Sequence, residues 1–396
     1  MRILIIAHTS FNQIGGHERY THQFANAMAA TLGRKSVVVW PVEQSVPLRR
    51  INGQNYTLLS PFWYRNRWAR RLVHRYFLLR GFNHLIADAV HLAPYTQKVA
   101  KFLGVSYDVM TVGIEVWGNL QTRVMEAMSG ARAVLTISAF TQEHLVQKGI
   151  PIRQIQVLPP HLDVNVFYPD AKAAKEVIQR HSLKGQRVIL TICRMDGDQR
   201  YKGYDRVLKS LPLILQQVPT AVYLIVGTGS DQPRMERRVA EMGLADRVIF
   251  AGRVPDDDFL RGYYSACDVF AMPSQTVISE KDCKGEGFGI VYIEANACGK
   301  PVIAGYGGGE PDAVIDGVTG LLVDPMDVDA IGQAIVRLLT NKELAHRLGQ
   351  QGLRRVWEEF SLAKLQERVD AYLDDVRSQS AARPRLSWYQ TVRRLL

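Results

Sequence analysis

Short runs of aliphatic and β-branched residues recur along the chain, each followed by a stretch whose apolar positions return every three or four residues. The runs predict strands at 2–7, 36–42, 107–112, 132–137 and 155–158, then at 187–193, 221–226, 247–250, 268–271, 301–304 and 320–323. The intervening patterns predict helices at 17–32, 139–148, 203–217, 231–242 and 327–340. Strands that are apolar throughout belong to parallel sheets covered on both faces, so the alternation predicts an α/β protein of doubly wound, Rossmann-like domains. The rhythm restarts after the polar stretch 164–185. This places an N-terminal domain at 1–165, a linker at 166–186, and a second domain at 187–360. A C-terminal helix and basic tail at 361–396 is expected to return to the first domain. Doubly wound domains hold ligands beyond the carboxyl ends of their strands, and a facing pair encloses a central cleft.

Composition changes this picture in one place. The 396 residues suffice for two cores. The opening MRILIIAH reads as a buried strand and not as a signal peptide. No stretch approaches the roughly 18–20 apolar residues that span a bilayer. The four cysteines, Cys193, Cys267, Cys283 and Cys298, lack metal or redox spacing, which suits buried thiols in a reducing cytosol. The net charge of +11, however, is concentrated. Between Glu43 and Asp88 there are eight arginines and no acidic residue. On a helix drawn over 63–80, Trp68, Leu72, Val73, Tyr76, Phe77 and Leu79 share one side, and Arg70, Arg71, His74 and Arg75 the other, with Arg67 close by. An anionic membrane surface fits this stripe best; a solvated face and a nucleic-acid patch are the alternatives. No nucleic-acid reading motif accompanies it, so no nucleic-acid partner is expected.

The loops after the predicted strands carry the chemistry. In KGEGFGIVYIEANACGKPVIA (284–304), Glu286 precedes a Gly-Phe-Gly entry and Glu294 follows eight positions later. The run Ile290–Ala297 reads as a helix with a glycine stop and a proline beyond it. Glu286 then lies just before a helix N-terminus, where backbone N–H groups attract an anion, and Glu294 sits about two turns in. A sugar nucleotide has the matching shape. Two solvated glutamates on an amphipathic helix are the plain alternative. Arg194 leaves the first strand of the second domain, and Lys202-Gly203 opens the next helix; two such cations suit a diphosphate. Gly15-Gly16 lets the backbone approach a phosphate or sugar, or makes a simple turn. Gly227-Thr228-Gly229 lacks the third glycine of a dinucleotide fingerprint. Asp256-Asp257-Asp258 caps a helix and implies no metal.

Together these loops resemble the retaining glycosyltransferases of family four (glycosyltransferase group 1), and among them the mannosyltransferases acting on lipid acceptors. The resemblance runs from residue 1 to about 375. It rests on Gly15-Gly16, Arg194 with Lys202-Gly203, Gly252-Arg253-Val254, Pro273-Ser274, Glu286 to Glu294, the turn Gly307 to Asp312, and Gly317 to Val323. It implies the GT-B fold, two Rossmann-like domains facing a central cleft. It implies that Arg194 and Lys202 hold the donor diphosphate, and that Glu286 binds sugar hydroxyls beside Gly287, Phe288, Gly289 and Ile290. Glu294 is implied to bind the ribose, Arg253 and Val254 to border the base, and Gly15 and Gly16 to lie near the sugar and diphosphate. No metal or other cofactor is implied, and Glu286 is not a nucleophile.

Three positions depart from the family pattern. Val112 stands where a histidine commonly precedes Gly-x-Glu; His91, His161 and Glu115 are the available substitutes. Pro160-His161-Leu162-Asp163 replaces an Asn-Gly-x-Asp turn, and Asp312 replaces a glutamate. The expected function is transfer of a hexose, GDP-mannose being favoured over a UDP-sugar as donor. The acceptor is expected to be a lipid-linked or membrane-associated saccharide, approached through Glu115 and the 63–80 stripe. The enzyme is expected to be cytoplasmic and peripheral on the inner face of the membrane, in cell-surface polysaccharide or glycolipid synthesis. A soluble sugar acceptor and a non-catalytic sugar-nucleotide or polysaccharide binder are the alternatives.

Overall fold

The computed structural model describes residues 1–8, 16–42, 53–59, 81–254, 256–279 and 283–381. Gly15, the basic residues Arg67, Arg70, Arg71 and Arg75 with Trp68, and the tail beyond 381 lie outside them. The chain divides into two compact units. One holds Met1–His161 together with the chain from Ala363 onward; the other holds Leu162–Leu362.

In the first unit, seven parallel strands form one sheet in the order β3-β2-β1-β4-β5-β6-β7. They are β1 (Ile3–Ala7), β2 (Val37–Pro41), β3 (Thr57–Leu58), β4 (His84–Ala87), β5 (Ser106–Thr111), β6 (Val134–Thr136) and β7 (Ile155–Val157). Every residue of β1 and β2 is buried, as unbroken apolar runs in a doubly covered sheet require. The sequence reading overlooked β3 and β4. β4 begins on a histidine, and its apolar run is too short to stand out; His84 is nevertheless fully buried, its Nδ1 2.9 Å from the Ser106 hydroxyl.

The C-terminal helix Leu362–Ala381 belongs to this unit from Ala363, and a buried ionic network fastens it there. Asp108 on β5 is fully buried and accepts hydrogen bonds from Arg132 Nε (3.0 Å), Arg132 Nη2 (2.5 Å), the Ala133 amide (2.9 Å) and the Tyr372 hydroxyl (2.7 Å). His84 Nε2 lies 3.0 Å from the same carboxylate. Arg132 also pairs with Asp375 of the helix. Burial alone would raise the Asp108 pKa, but His84 and Arg132 outweigh it and hold the carboxyl below its ordinary range.

The second unit has a six-stranded parallel sheet, order β10-β9-β8-β11-β14-β15, and a separate antiparallel hairpin β12-β13. These are β8 (Arg187–Ile192), β9 (Ala221–Val226), β10 (Val248–Gly252), β11 (Val269–Met272), β12 (Val277–Ile278), β13 (Cys283–Lys284), β14 (Val302–Gly305) and β15 (Gly320–Val323). The segment read as a linker, 166–186, is not a free connection. It contains helix Ala171–Arg180, capped by Asp170 and packed on helix Asp257–Ala266, and the boundary between units falls at 161/162. The amphipathic Ala-Lys repeat there reads as solvated until its partner helix is known.

Strand order reverses between β1 and β4 in one sheet and between β8 and β11 in the other. Such switch points are where open α/β sheets bind ligands, outside the carboxyl ends of the strands. Among the described residues, no helix is long and apolar enough to cross a membrane.

Candidate functional site

In the second unit, the loops that follow β8, β11 and β14 meet at the switch point. After β8 the chain forms a short 3-10 turn, Gly197–Lys202, which ends at Gly203 with φ 81°. A Cβ on Gly203 would lie 2.3 Å from the Pro273 carbonyl oxygen, so only glycine allows this turn to press against the end of β11. Arg206, largely buried, braces the same junction by donating to the carbonyls of Tyr201 (2.8 Å) and Pro273 (3.2 Å). Asp231 braces the second half of the turn and the residue after Gly203, accepting from Arg200 (2.5 Å), Arg234 (2.5 Å) and Tyr204 (2.8 Å). These bonds hold its carboxyl well below the usual range against the opposing effect of burial.

The turn delivers Lys202 to Glu286. Lys202 Nζ donates to Glu286 Oε1 at 2.5 Å, and both side chains remain slightly exposed, 16% and 15%. Burial opposes the ammonium charge, but the Glu286 carboxylate outweighs it and raises the lysine pKa. A cation and an anion, each with an open edge, can together meet a phosphate and a hydroxyl. Helix Ile290–Ala297 begins four residues after Glu286, with Gly289 at φ 88° as its N-cap. The Phe288 ring is buried against Phe360, centroids 5.4 Å apart, and anchors the entry loop; Gly287 and Ile290 are half-buried.

The other expected site residues fall differently. Arg194 is 72% exposed, its Nε 3.7 Å from the Asp196 carboxylate. Arg253 is exposed and Val254 half-buried just beyond β10. Glu294 is 4% exposed, and its Oε2 accepts from the buried Tyr264 hydroxyl at 2.8 Å. The helix presents it inward, not as an open carboxylate. In the first unit, Gly16 is exposed at the start of helix Gly16–Leu32. Glu115 is turned back on its own loop, accepting from Thr111 Oγ1 (2.9 Å) and the Val112 amide (2.7 Å). His91 is exposed with its ring 4.5 Å from that of His8. His161 is buried with both ring nitrogens unpartnered, and burial together with Arg368 pulls its pKa down to about 3.

Sequence reasoning gave no role to Arg206, Asp231 or Glu310. Glu310 follows the glycine-rich turn after β14, whose Gly309 amide donates to the Glu286 carbonyl at 2.8 Å. It is fully buried. Among the described residues, no group of three or more His, Cys, Asp or Glu side chains is arranged to hold a metal ion.

Residues 174–355 match the family model described as Glycosyl transferases group 1. A GDP-mannose-dependent alpha-(1-6)-phosphatidylinositol monomannoside mannosyltransferase of Mycolicibacterium smegmatis is 35% identical over 246 residues, 61% of this chain. A mannosylfructose-phosphate synthase of Agrobacterium fabrum is 29% identical over 236 residues, 57% of this chain. The chain spans 63% and 49% of the length of these two relatives. The solved structure of Anabaena HepE in complex with UDP superposes with a TM-score of 0.77 at 17% identity, covering 95% of this chain and 100% of that one. With its two parallel-sheet α/β units the chain has the GT-B fold, and its residues 174–355 are similar to the glycosyl transferases group 1 family.

Proposed function

We propose that the protein transfers a hexose, with mannose favoured, from a nucleoside diphosphate sugar to a lipid-linked or membrane-associated saccharide, retaining the anomeric configuration. The observation that carries this reading is the Lys202–Glu286 pair at the switch point of a domain similar to the group 1 family. GDP-mannose is favoured over a UDP-sugar because the Mycolicibacterium relative is named as GDP-mannose-dependent. Its phosphatidylinositol mannoside acceptor and the basic, aromatic 63–80 segment of this chain support a lipid acceptor at the inner face of the membrane.

In this mechanism the bond between the anomeric carbon and the β-phosphate oxygen breaks as the acceptor hydroxyl oxygen bonds to the same carbon, on the face the nucleotide leaves. The hydroxyl proton passes to the departing phosphate, giving a glycoside and a nucleoside diphosphate. Lys202 and Arg194 meet the negative charge that grows on the diphosphate, without a metal ion. Glu286 holds sugar hydroxyls, with the amides of Gly287, Phe288 and Gly289 beside it. Arg253 and Val254 border the base. Glu294 acts on the ribose side, and its bond to Tyr264 fixes its orientation.

Thermal unfolding with GDP, UDP or ADP, each with and without EDTA, tests this. A ligand at about 100 times its dissociation constant adds roughly 2.7 kcal/mol to the folded state. GDP is expected to raise the Tm equally in both buffers in the native protein but not in Lys202→Ala. No shift with any nucleotide sinks the reading. The Agrobacterium relative, named for a phosphorylated soluble disaccharide, favours a second reading, in which the acceptor is a free sugar phosphate. Mannosyl transfer to fructose 6-phosphate without vesicles would establish it. Transfer only to a mannoside lipid in anionic vesicles would exclude it.

A further inference from the structure

Glu310 opens the four-residue helix Glu310–Ala313 and has no exposed surface. Neither carboxylate oxygen makes a hydrogen bond of good geometry, although the amides of Glu310 itself and of Gly308 lie near enough to act on it. A Cβ built on Gly308 would lie 2.8 Å from Glu310 Oε2, 2.3 Å from Thr276 Oγ1 and 3.0 Å from the Glu286 carbonyl oxygen, so these three oxygens converge. The Thr276 hydroxyl is likewise buried without a partner. The charged groups acting on Glu310 are Glu286 on the neighbouring loop and Lys202 at the end of the 3-10 turn. Tyr292 faces it from helix Ile290–Ala297. At the carboxyl end of its own short helix, Arg355 donates to the Asp312 and Ala313 carbonyls and to Glu359.

Buried polar groups are nearly always paired, and a lone carboxyl kept dry beside an ion pair needs a reason. We propose that Glu310 is a positioning residue for the Lys202–Glu286 pair, setting by its own charge whether Lys202 is available to the diphosphate of the donor. The inference rests on the reading of that pair as the donor site. With Glu310 uncharged, Lys202 faces one carboxylate, the three groups sum to zero, and an arriving diphosphate can draw the ammonium away. With Glu310 ionised, the three sum to one negative charge. Lys202 is then held by two carboxylates, and the diphosphate is repelled. Burial, reinforced by Glu286, pushes the Glu310 pKa up to about 8, against the amides of Glu310 and Gly308 and the charge of Lys202. The uncharged state therefore prevails at neutral pH, and the change falls just above it. Glu310 itself does not touch the substrate.

The test compares the full chain with Glu310→Gln and with Glu310→Met, which is uncharged and of similar size. The dissociation constant for GDP is measured between pH 6.5 and 9.5. In the wild type it is expected to rise about tenfold across that range, and in both variants to lose this rise. The KM for the donor sugar should follow the same profile, with kcat unchanged. Ligand-free melting supplies an independent arm. A buried acid with a raised pKa contributes stability that is fully present below the unfolded carboxyl value, about 4.3, and is lost as pH rises toward 8. The Tm of the variants should therefore gain on that of the wild type by several degrees between pH 5 and 8.5. A gap independent of pH overturns the proposal, whatever the nucleotide does. GDP binding with the same pH profile in all three proteins overturns it while leaving the donor site intact. A wild type that binds no nucleoside diphosphate at any pH overturns both.

Discussion

The two units each bury a cluster of charges, and the clusters are built on opposite principles. Around Asp108 every bond is internal: Arg132, Tyr372, the Ala133 amide and His84 all converge on one carboxylate, and Arg132 reaches on to Asp375. Around Lys202 the bonding stops short. One ion pair keeps an open edge, and next to it Glu310 and Thr276 are buried with oxygens that make no hydrogen bond of good geometry. A buried ion pair gains little over apolar packing unless its remaining lone pairs and protons are satisfied. The first cluster meets that condition and serves as a fastening. The second does not, and its unspent bonding capacity is what a ligand can use.

Three substitutions test this contrast. The largest effect is expected from Asp108→Ala. Removing the hub leaves Arg132 and His84 buried without their partner and should cost about 3–5 kcal/mol. Urea denaturation should show this loss, while the GDP dissociation constant of the folded fraction stays unchanged. A neutral result would mean that the C-terminal helix is held without Asp108, by the Arg132–Asp375 pair and its packing contacts. Lys202→Ala comes next and reverses the pattern. Turnover should fall about 10²–10³-fold, the size expected for losing one preorganised charge at a developing anion. Stability should change by only about 1 kcal/mol, because the remaining Glu286 keeps access to water. Equal losses in both measurements would make the pair structural. The smallest effect is expected from Tyr372→Phe, which removes one hydrogen bond to a charged group and should cost about 1.5–3 kcal/mol in the same urea titration. No loss would show that Arg132 and His84 already satisfy Asp108.

The two clusters also oppose each other in pH. Asp108 is held below its ordinary range, so its contribution is present above an unfolded carboxyl pKa of about 3.9 and is lost as pH falls through the folded value. Glu310 is raised, so its contribution is lost on the alkaline side.

Much of the fold was legible in the sequence because parallel strands announce themselves as apolar runs, as in AVYLIV of β9. Helix Ile290–Ala297 was legible to the residue, since glycine at both ends leaves little choice. β4 was hidden because its leading histidine is buried only by virtue of Ser106 and Asp108, which lie more than twenty positions away. In the site, Lys202 and Glu286 could be named from their loops, but not their contact, which needs the turn at Gly203 against Pro273. Glu310 reads in sequence as an acid in the first turn of a helix, an ordinary capping arrangement. Only the packing of the 307–309 turn against the Glu286 loop makes it a buried carboxyl. Glu294 was read as binding the ribose; the bond its carboxylate accepts from Tyr264 was not legible, because that hydroxyl comes from a helix thirty positions earlier.

The return of helix Leu362–Ala381 to the first unit has a consequence for synthesis. In the order of translation, Asp108 and Arg132 emerge long before Tyr372 and Asp375, and the whole of the second unit is made in between. Domains usually complete themselves from the amino end as they leave the ribosome. Here the order is inverted. The unit begun first waits, its charged hub open, until helix Leu362–Ala381 is released, and the unit begun second can close before it.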